Sequence, residues 1–291
     1  MNRSIFSLVF SLMLAAGILL SDGFVRDAVA ASPSQLLKQT YASALTGTDR
    51  DYWLYLPAGM DDNPYRKWPV ILFLHGGGER GSDIDVVLKH GPIKEVAQNG
   101  RELPFIIIAP QMPALPTDGE RPRARRNRDR KPVRQQMLRE TTGTPPSWGK
   151  TGPPHGWHEL ESELLEMVDN AIENHHGDPD RVYITGLSYG GFGTWRMIMQ
   201  HPERWAAAAP ICGAGDIEQV EKIGTLPVWV FQGGLDTTVL PEWTLATADA
   251  LDAAGGNVRV TVHEDCKHDC WTRVYEGADL YHWFLSHRKN E

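Results

Sequence analysis

The feature that most constrains this chain is the hexapeptide GLSYGG at residues 186–191. Residues 181–185 before it favour a strand, and residues 192–200 after it have helical spacing. In the pattern G-x-S-x-G a serine occupies a tight turn between a strand and a helix, and glycines flank it because a Cβ there would collide with neighbouring backbone. We therefore predict a nucleophile elbow at Ser188, with the Tyr189 amide facing the same space. The alternative is a purely structural strand–helix turn.

Apolar runs and helical patterns alternate along the rest of the chain. Strands are predicted at residues 51–56, 68–74, 104–109, 181–185, 206–211, 226–231 and 258–263, and helices at residues 160–172, 192–200, 241–254 and 271–286. This alternation predicts an α/β protein with a mostly parallel, doubly wound sheet. In such a sheet the functional groups gather at the carboxyl ends of the strands.

The amino-terminal segment has the pattern of a secretory signal peptide. Arg3 is followed by an apolar stretch over residues 5–20 and then by the small residues Ala-Val-Ala at 28–30. The apolar stretch is short for a membrane span of about 20 residues, so no stable membrane anchor is expected. We predict cleavage of residues 1–30, a secreted or periplasmic location, and one α/β domain over residues 31–291.

Residues 112–154 interrupt the alternation of strands and helices. They contain eight prolines and most of a basic cluster at residues 121–139, which has nine Lys or Arg and a single acid. We predict a Pro/Arg-rich insertion that is either a solvated loop or a lid that favours anionic substrates. The whole chain has a net charge of -8, so the remainder is strongly acidic and nucleic acid is not expected as a partner.

A reactive serine requires a general base and an acid that orients it. Asp236 follows the predicted strand at residues 226–231 and is the preferred acid; Asp216 is the alternative and could simply make an Asx-type hydrogen bond. His268, just before the last helix, is the preferred base. His263 ends a strand, where the pleat fixes its direction, and is more readily explained as a half-buried structural histidine.

A second glycine-rich loop is a candidate oxyanion hole. The sequence LHGGGERG at residues 74–81 follows a predicted strand, and successive glycines allow backbone amides to approach a developing oxyanion. Gly77 is the preferred donor together with Tyr189, and Gly78 is the next choice. A phosphate-binding loop is disfavoured because the P-loop spacing and its Lys-Ser/Thr ending are absent.

Cys212, Cys266 and Cys270 would allow one disulfide in an exported chain and would leave one thiol over. Sequence alone does not select the pair. The spacing of Cys266 and Cys270 also permits a metal, but a structural zinc usually takes four ligands and no second Cys/His cluster completes the set. Neither a metal nor an organic cofactor is expected.

The chain resembles the exported α/β-hydrolase esterases of the carboxylesterase/phospholipase or "predicted peptidase" type, which are related to polyhydroxybutyrate depolymerase-like and feruloyl esterase-like enzymes. The likeness covers most of residues 68–288, and its motifs lie at residues 74–81, 89–93, 107–111, 178–195, 210–216, 227–239 and 268–271. The resemblance implies an α/β-hydrolase fold and a triad of Ser188, Asp236 and His268. Tyr189 stands where the family often has methionine, and the insertion is longer than usual.

The cysteines near His268 are also uncommon in that family. A disulfide between Cys266 and Cys270, or between Cys212 and Cys266, would rigidify the loop that carries His268. The function we expect is hydrolysis of small or polymer-linked carboxylic esters through an acyl-enzyme. The alternatives are a serine peptidase on the same fold and a non-catalytic polysaccharide-binding relative, for which the tryptophans nearest to predicted loops are Trp148, Trp157, Trp243 and Trp271.

Overall fold

A computed structural model describes residues 31–114 and 156–289. Its eight strands are β1 (Gln35–Ser43), β2 (Thr48–Leu56), β3 (Trp68–Leu74), β4 (Ile106–Pro110), β5 (Gly177–Leu187), β6 (Ala207–Ile211), β7 (Val228–Gly233) and β8 (Val258–His263). They form one sheet in the order β1-β2-β4-β3-β5-β6-β7-β8. The pairs from β4 to β8 are parallel, and β2 pairs antiparallel with both β1 and β4. The predicted mostly parallel α/β sheet is confirmed.

Helices cover both faces of this sheet. They are α1 (Gly91–Ala97), α2 (Glu161–Asn174), α3 (Tyr189–Gln200), α4 (Pro241–Ala253), α5 (Trp271–Glu276) and α6 (Asp279–Leu285). Helices α2, α3 and α4 contribute to one hydrophobic core, whereas α1, α5 and α6 contribute to the other. The sheet is therefore doubly wound. None of the helices in the described ranges is long and apolar enough to cross a membrane.

Strand β3 shows why a continuous apolar run forms a central strand. All seven of its residues are buried. Val70, Leu72 and Leu74 belong to the core under α2 and α3, while Ile71 and Phe73 belong to the core under α1 and α5. Successive side chains of a strand point to opposite faces, so a strand covered on both faces needs apolar residues at every position. Strand β3 is therefore a central strand, and the loop after it starts near the middle of the sheet.

Three elements differ from the sequence-based predictions. Helix α1 (Gly91–Ala97) was not predicted, because it has only seven residues and begins with Gly91 and Pro92. Strand β1 was not predicted, because it lies at the sheet edge and its side chains alternate between exposed and partly buried rather than forming an apolar run. The helix predicted at residues 271–286 is two helices, α5 and α6, with Gly277 at the end of the first. The signal peptide predicted at residues 1–30 and residues 115–154 of the predicted insertion lie outside the described residues.

Candidate active site

Ser188 occupies a strained turn between β5 and α3. Its φ is 53° and its ψ is -113°, a conformation that costs a non-glycine residue on the order of 1–3 kcal/mol. The residues two positions before and after it must be glycine. A Cβ on Gly190 would lie 1.8 Å from the carbonyl oxygen of Leu74, and one on Gly186 would lie 2.3 Å from the carbonyl oxygen of Gly190. The Ser188 amide donates to the carbonyl of Ile211 at 2.9 Å. Close packing against β3 and β6 therefore holds the serine in this conformation.

The predicted triad residues form one chain of hydrogen bonds. Nε2 of His268 lies 2.9 Å from Oγ of Ser188, and Nδ1 of His268 lies 2.7 Å from Oδ2 of Asp236. An ionised carboxylate can only accept, so Nδ1 donates to Asp236 and Nε2 is left to accept the serine proton. The three residues come from the ends of β5, β7 and β8, at the carboxyl edge of the sheet. This is the arrangement that activates a serine nucleophile.

Asp236 is held in place by several donors. The carboxylate is 1% exposed, and its Oδ1 accepts from the amides of Thr238 at 2.8 Å and Val239 at 3.1 Å. Its Oδ2 also accepts from Nε2 of Gln232 at 3.3 Å, and the Gln232 amide is oriented by the hydroxyl of Thr244 at 2.8 Å. Gln232 was not singled out from sequence. The signal for it was a polar residue near the end of the apolar strand β7.

The surroundings of His268 favour its protonated form. Burial lowers the pKa of His268, but the hydrogen bond to Asp236 and the nearby Cys212 raise it, and the net effect raises the pKa from 6.5 to about 9. The ring packs edge-on against Trp271 with centroids 5.0 Å apart. An imidazolium formed when His268 takes the serine proton is therefore strongly stabilised by the carboxylate.

The alternative acid and base lie in other settings. Asp216 accepts from the amide of Glu218 at 3.1 Å and from the side chain of Gln219 at 2.6 Å, which is the Asx-type turn considered from sequence. His263 is the last residue of β8 and stacks on Phe231 with centroids 6.3 Å apart. Burial lowers the pKa of His263. Asp236 and His268, rather than this pair, are the residues that the structure brings to Ser188.

The glycine-rich loop after β3 is anchored by a neutral histidine. His75 is fully buried; its Nδ1 donates to the carbonyl of Gly76 at 2.6 Å, and its Nε2 accepts from the amide of Met112 at 3.0 Å. Burial lowers the pKa of His75 to about 3, so the ring is neutral at physiological pH. Gly77 then begins a short 3-10 turn, Gly77–Glu79.

Gln111 supports the same loop from the end of β4. Its Nε2 donates to the carbonyl of Glu79 at 2.8 Å and to that of Asp83 at 2.7 Å. The Arg50 guanidinium donates to the carbonyls of Gly81 and Gln111. Sequence analysis assigned no role to Gln111, although a polar residue directly after an apolar strand is the signal that could have identified it.

The two candidate oxyanion donors lie on adjacent loops. A Cβ on Gly76 would lie 2.7 Å from Cδ1 of Leu187, and one on Gly190 would lie 2.8 Å from the carbonyl oxygen of His75, so the glycine-rich loop packs directly against the elbow. Tyr189 is the first residue of α3, and the Arg80 guanidinium lies 4.9 Å from the centre of its ring. That the Gly77 and Tyr189 amides bind an oxyanion stays a prediction.

The structure also gathers three potential metal ligands, although not the set that the cysteine spacing suggested. Donor atoms of Cys212, Asp236 and His268 lie within 4.8 Å of one another. However, Asp236 and His268 already share a hydrogen bond of 2.7 Å. A metal bound here would replace that hydrogen bond and separate His268 from its orienting carboxylate, so the geometry favours the triad.

A broad groove lies at the amino ends of the strands. It has a volume of about 770 Å³ and is lined by residues that precede β6, β7 and β8, including Trp205, Pro227 and Asn257. Those residues mark the amino ends of the strands, whereas Ser188 and His268 lie at the carboxyl ends. We therefore do not assign the groove to the candidate active site, because Ser188 and His268 lie at the opposite ends of the strands.

Comparison with known proteins identifies hydrolases. Residues 158–229, which include Ser188, match the Prolyl oligopeptidase family. The chain is 54% identical over 50 residues to poly(3-hydroxyalkanoate) depolymerase C of Paucimonas lemoignei, covering 17% of this chain and 12% of that protein. It is 21% identical over 267 residues to dipeptidyl-peptidase 5 of Porphyromonas gingivalis, covering 79% of this chain and 34% of that protein. The chain thus spans about a third or less of the length of these curated relatives.

Solved structures show the same fold. A thermostable esterase is 30% identical with a TM-score of 0.64, and the match covers 87% of this chain and 63% of that chain. A CE1 ferulic acid esterase from Anaeromyces mucronatus is 17% identical with a TM-score of 0.57, and the match covers 90% of this chain and 93% of that chain. At 17% identity the second likeness shows the fold alone.

Proposed function

We propose that this chain, which has the α/β-hydrolase fold and resembles esterases of that fold, is a secreted serine hydrolase that cleaves carboxylic esters through an acyl-enzyme. The observation that carries the proposal is the hydrogen-bonded chain from Ser188 through His268 to Asp236. Export from the cytoplasm is proposed because residues 1–30 have the pattern of a signal peptide. The carboxylesterase class is supported by the identity to the thermostable esterase.

The geometry suits acylation by general base catalysis. Ser188 Oγ attacks the ester carbonyl carbon while its proton passes to Nε2 of His268, and Asp236 stabilises the resulting imidazolium. The amides of Gly77 and Tyr189 donate to the negative oxygen of the tetrahedral intermediate. When the intermediate collapses, the ester C–O bond breaks and His268 returns the proton to the leaving alcohol. A water molecule then repeats the sequence on the acyl-enzyme and releases the acid.

Peptide hydrolysis is the second candidate, because residues 158–229 match a peptidase family. An amide requires the same triad, but its amine must be protonated as it leaves, whereas an alkoxide leaves more readily. Esters should therefore be cleaved faster by this site. The natural substrate we propose is a small or polymer-linked ester, and the proposed activity requires neither nucleic acid nor a membrane anchor.

A panel of substrates tests the proposal on the purified mature chain. We expect turnover of aryl acetate, feruloyl ester or 3-hydroxyalkanoate oligomer, and much slower turnover of aminoacyl arylamides. The reverse order would assign the site to peptides. The Ser188→Ala variant serves as the matched control, because it removes one oxygen atom and leaves the elbow glycines unchanged.

Covalent labelling separates an enzyme from a non-catalytic binding protein. An organophosphonate reacts with a serine that a neighbouring base activates, and a mere binder has no such serine. We expect one adduct per chain at Ser188 and none on the Ser188→Ala variant. An unlabelled wild-type chain, with normal folding by circular dichroism, would support the polysaccharide-binding alternative instead.

A further inference from the structure

Two buried cysteines meet beside the candidate active site. Cys212 directly follows β6, and Cys270 directly precedes α5, two residues after His268. Their sulfur atoms are 3.1 Å apart, and the two residues are 0% and 1% exposed. Cys266, the third cysteine, is only partly buried. The distance is shorter than an ordinary contact between two thiols, which makes this pair the one nearest to bond formation.

A second observation shows that the backbone directs Cys212 toward this contact. Cys212 has a φ of 49°, a conformation that is uncommon for a residue with a side chain. Its amide donates to the carbonyl of Phe231 at 2.9 Å, and its sulfur donates to the carbonyl of His268 at 3.4 Å. The strained residue therefore faces the histidine loop, which we define as residues 264–270.

We propose that Cys212 and Cys270 form a disulfide that ties the histidine loop to the end of β6 and leaves Cys266 as a free thiol. This pairing differs from the two considered from sequence, Cys266 with Cys270 and Cys212 with Cys266. Sequence spacing could not reveal it, because β7, α4 and β8 lie between the two residues and only the fold brings their sulfur atoms together.

The reaction is a thiol–disulfide exchange with a disulfide oxidant, either a protein disulfide or glutathione disulfide. Two S–H bonds break and one S–S bond forms, and the two electrons and two protons reduce the oxidant to two thiols. Burial raises the pKa of the Cys212 thiol, which suppresses the thiolate needed for exchange in the folded protein. The bond therefore forms during folding, before the pair is buried, and an exported chain meets such oxidants.

The bond would fix His268 through the backbone. Cys270 is two residues from His268, so a covalent link at Cys270 limits how far the imidazole can move from Ser188. The link replaces the weak hydrogen bond from the Cys212 sulfur to the His268 carbonyl. The proposal goes beyond ester hydrolysis, because it concerns a modification that is measured without any substrate.

Peptide mapping tests the pairing directly. The wild-type chain is refolded with a glutathione redox buffer, unfolded without reductant, alkylated and digested. We expect alkylation of Cys266 alone and a linked peptide that contains Cys212 and Cys270. Alkylation of all three cysteines, or a link that includes Cys266, would overturn the proposal. The Cys266→Ser variant is the matched control and should retain the link, whereas Cys212→Ala should free Cys270.

Thermal inactivation tests the role of the bond. We expect dithiothreitol to shorten the half-life of the wild type and of Cys266→Ser by at least about fivefold, because the reduced unfolded chain gains conformational freedom. The Cys212→Ala/Cys270→Ala variant should not respond to the reductant. Equal half-lives of the oxidised and reduced wild type would show that the disulfide does not stabilise the histidine loop. Organophosphonate labelling of Ser188 reports separately on the proposed hydrolase activity.

Discussion

The serine and the histidine of the candidate site are held in different ways. Ser188 lies in an elbow between two buried elements, where glycine backbones approach other backbones more closely than any side chain would allow. His268 lies in the histidine loop, beyond the edge strand β8, and three residues of that loop, Asp265, Lys267 and Asp269, are exposed. Ser188 is thus half-buried on a turn that the core holds, whereas His268 lies on a surface loop.

Contacts from a distant part of the chain hold the histidine loop. The Leu235 amide donates to the carbonyl of Cys266 at 2.8 Å, and a Cβ on Gly233 would lie 2.0 Å from the carbonyl oxygen of Lys267. These contacts join the loop to the segment that carries Asp236. The comparison indicates that the serine is positioned by the core as a whole, and that the acid and the base are positioned by each other's loops.

The largest expected effect is on catalysis. Ser188→Ala should reduce turnover of an aryl ester by about 10⁴ to 10⁶, and Asp236→Asn by about 10⁴, because each interrupts the same hydrogen-bonded chain. The double variant should be no slower than Ser188→Ala, since the two regions act as one unit. Steady-state kinetics measures these losses. Asp216→Asn is the control and should stay within about twofold of wild type.

These losses have a clear contrary outcome. If either single variant kept more than about a tenth of the wild-type activity, its assigned role would be wrong. If the double variant lost much more turnover than Ser188→Ala, the two regions would contribute to catalysis independently. They would then not act as one unit.

The next effect is on folding of the elbow. Gly190→Ala places a methyl group 1.8 Å from the carbonyl oxygen of Leu74, so backbone must move. We expect the free energy of unfolding to fall by about 3 kcal/mol or more, measured by urea denaturation. Gly78→Ala is the matched control in the facing loop, because its methyl group meets no atom within 4 Å. Its free energy of unfolding should change by less than about 0.5 kcal/mol.

A substitution at a residue that contacts the histidine loop should lower kcat more than it lowers stability. Gly233→Ala places a methyl group 2.0 Å from the carbonyl oxygen of Lys267, and the exposed loop can yield where the core cannot. We expect kcat to fall about 100-fold as His268 is displaced, with the fold retained. Gly277→Ala, with contacts of 3.3 Å and longer, is the control. Unfolding of Gly233→Ala as severe as that of Gly190→Ala would remove the distinction between the two regions.

The smallest expected effect is the dependence on pH. His268 acts as a base only when neutral, and the hydrogen bond to Asp236 raises its pKa, so kcat/KM should rise with pH across an acid limb whose midpoint lies above 6.5. Asp236→Asn removes the hydrogen bond that raises the pKa and should move that midpoint down. A midpoint at or below 6.5 in the wild type would contradict the environment described for His268.

Stability should respond to the same group in the opposite direction. The folded protein holds the His268 proton more tightly than the unfolded chain does, because the folded pKa is raised. This contribution to the free energy of unfolding is complete below about pH 6.5 and is lost as the pH rises through the raised folded pKa. Urea denaturation of the wild type and of Asp236→Asn across that range measures the difference in the free energy of unfolding, which should shrink toward the alkaline end.

Much of the fold followed from local patterns. Strand β3 and strand β8 were predicted with the bounds that the structure has, because an apolar run and a β-branched run are signals carried by neighbouring residues. Strand β1 was missed because its side chains alternate between exposed and partly buried and form no apolar run. The break between α5 and α6 was missed because both helices contribute apolar residues to one core and the pattern continues across Gly277.

The residues of the candidate site likewise differ in how far the sequence could identify them. Ser188 was identified from its own hexapeptide, since the glycines that the turn requires are its neighbours in sequence. Asp236 and His268 were chosen over Asp216 and His263 by their places relative to strands, and the distances that join them exist only in the fold. Gln232 was overlooked because its importance lies in a hydrogen bond to a carboxylate rather than in a motif.

The alternation of strands and helices and the position of the elbow follow from the sequence alone, because hydrophobic period and glycine placement are short-range properties. Only the tertiary structure decided which carboxylate meets the imidazole and that Cys212, rather than Cys266, lies against Cys270. Those contacts join residues far apart in the chain, and their geometry depends on strand order and loop course, which short-range preferences do not encode.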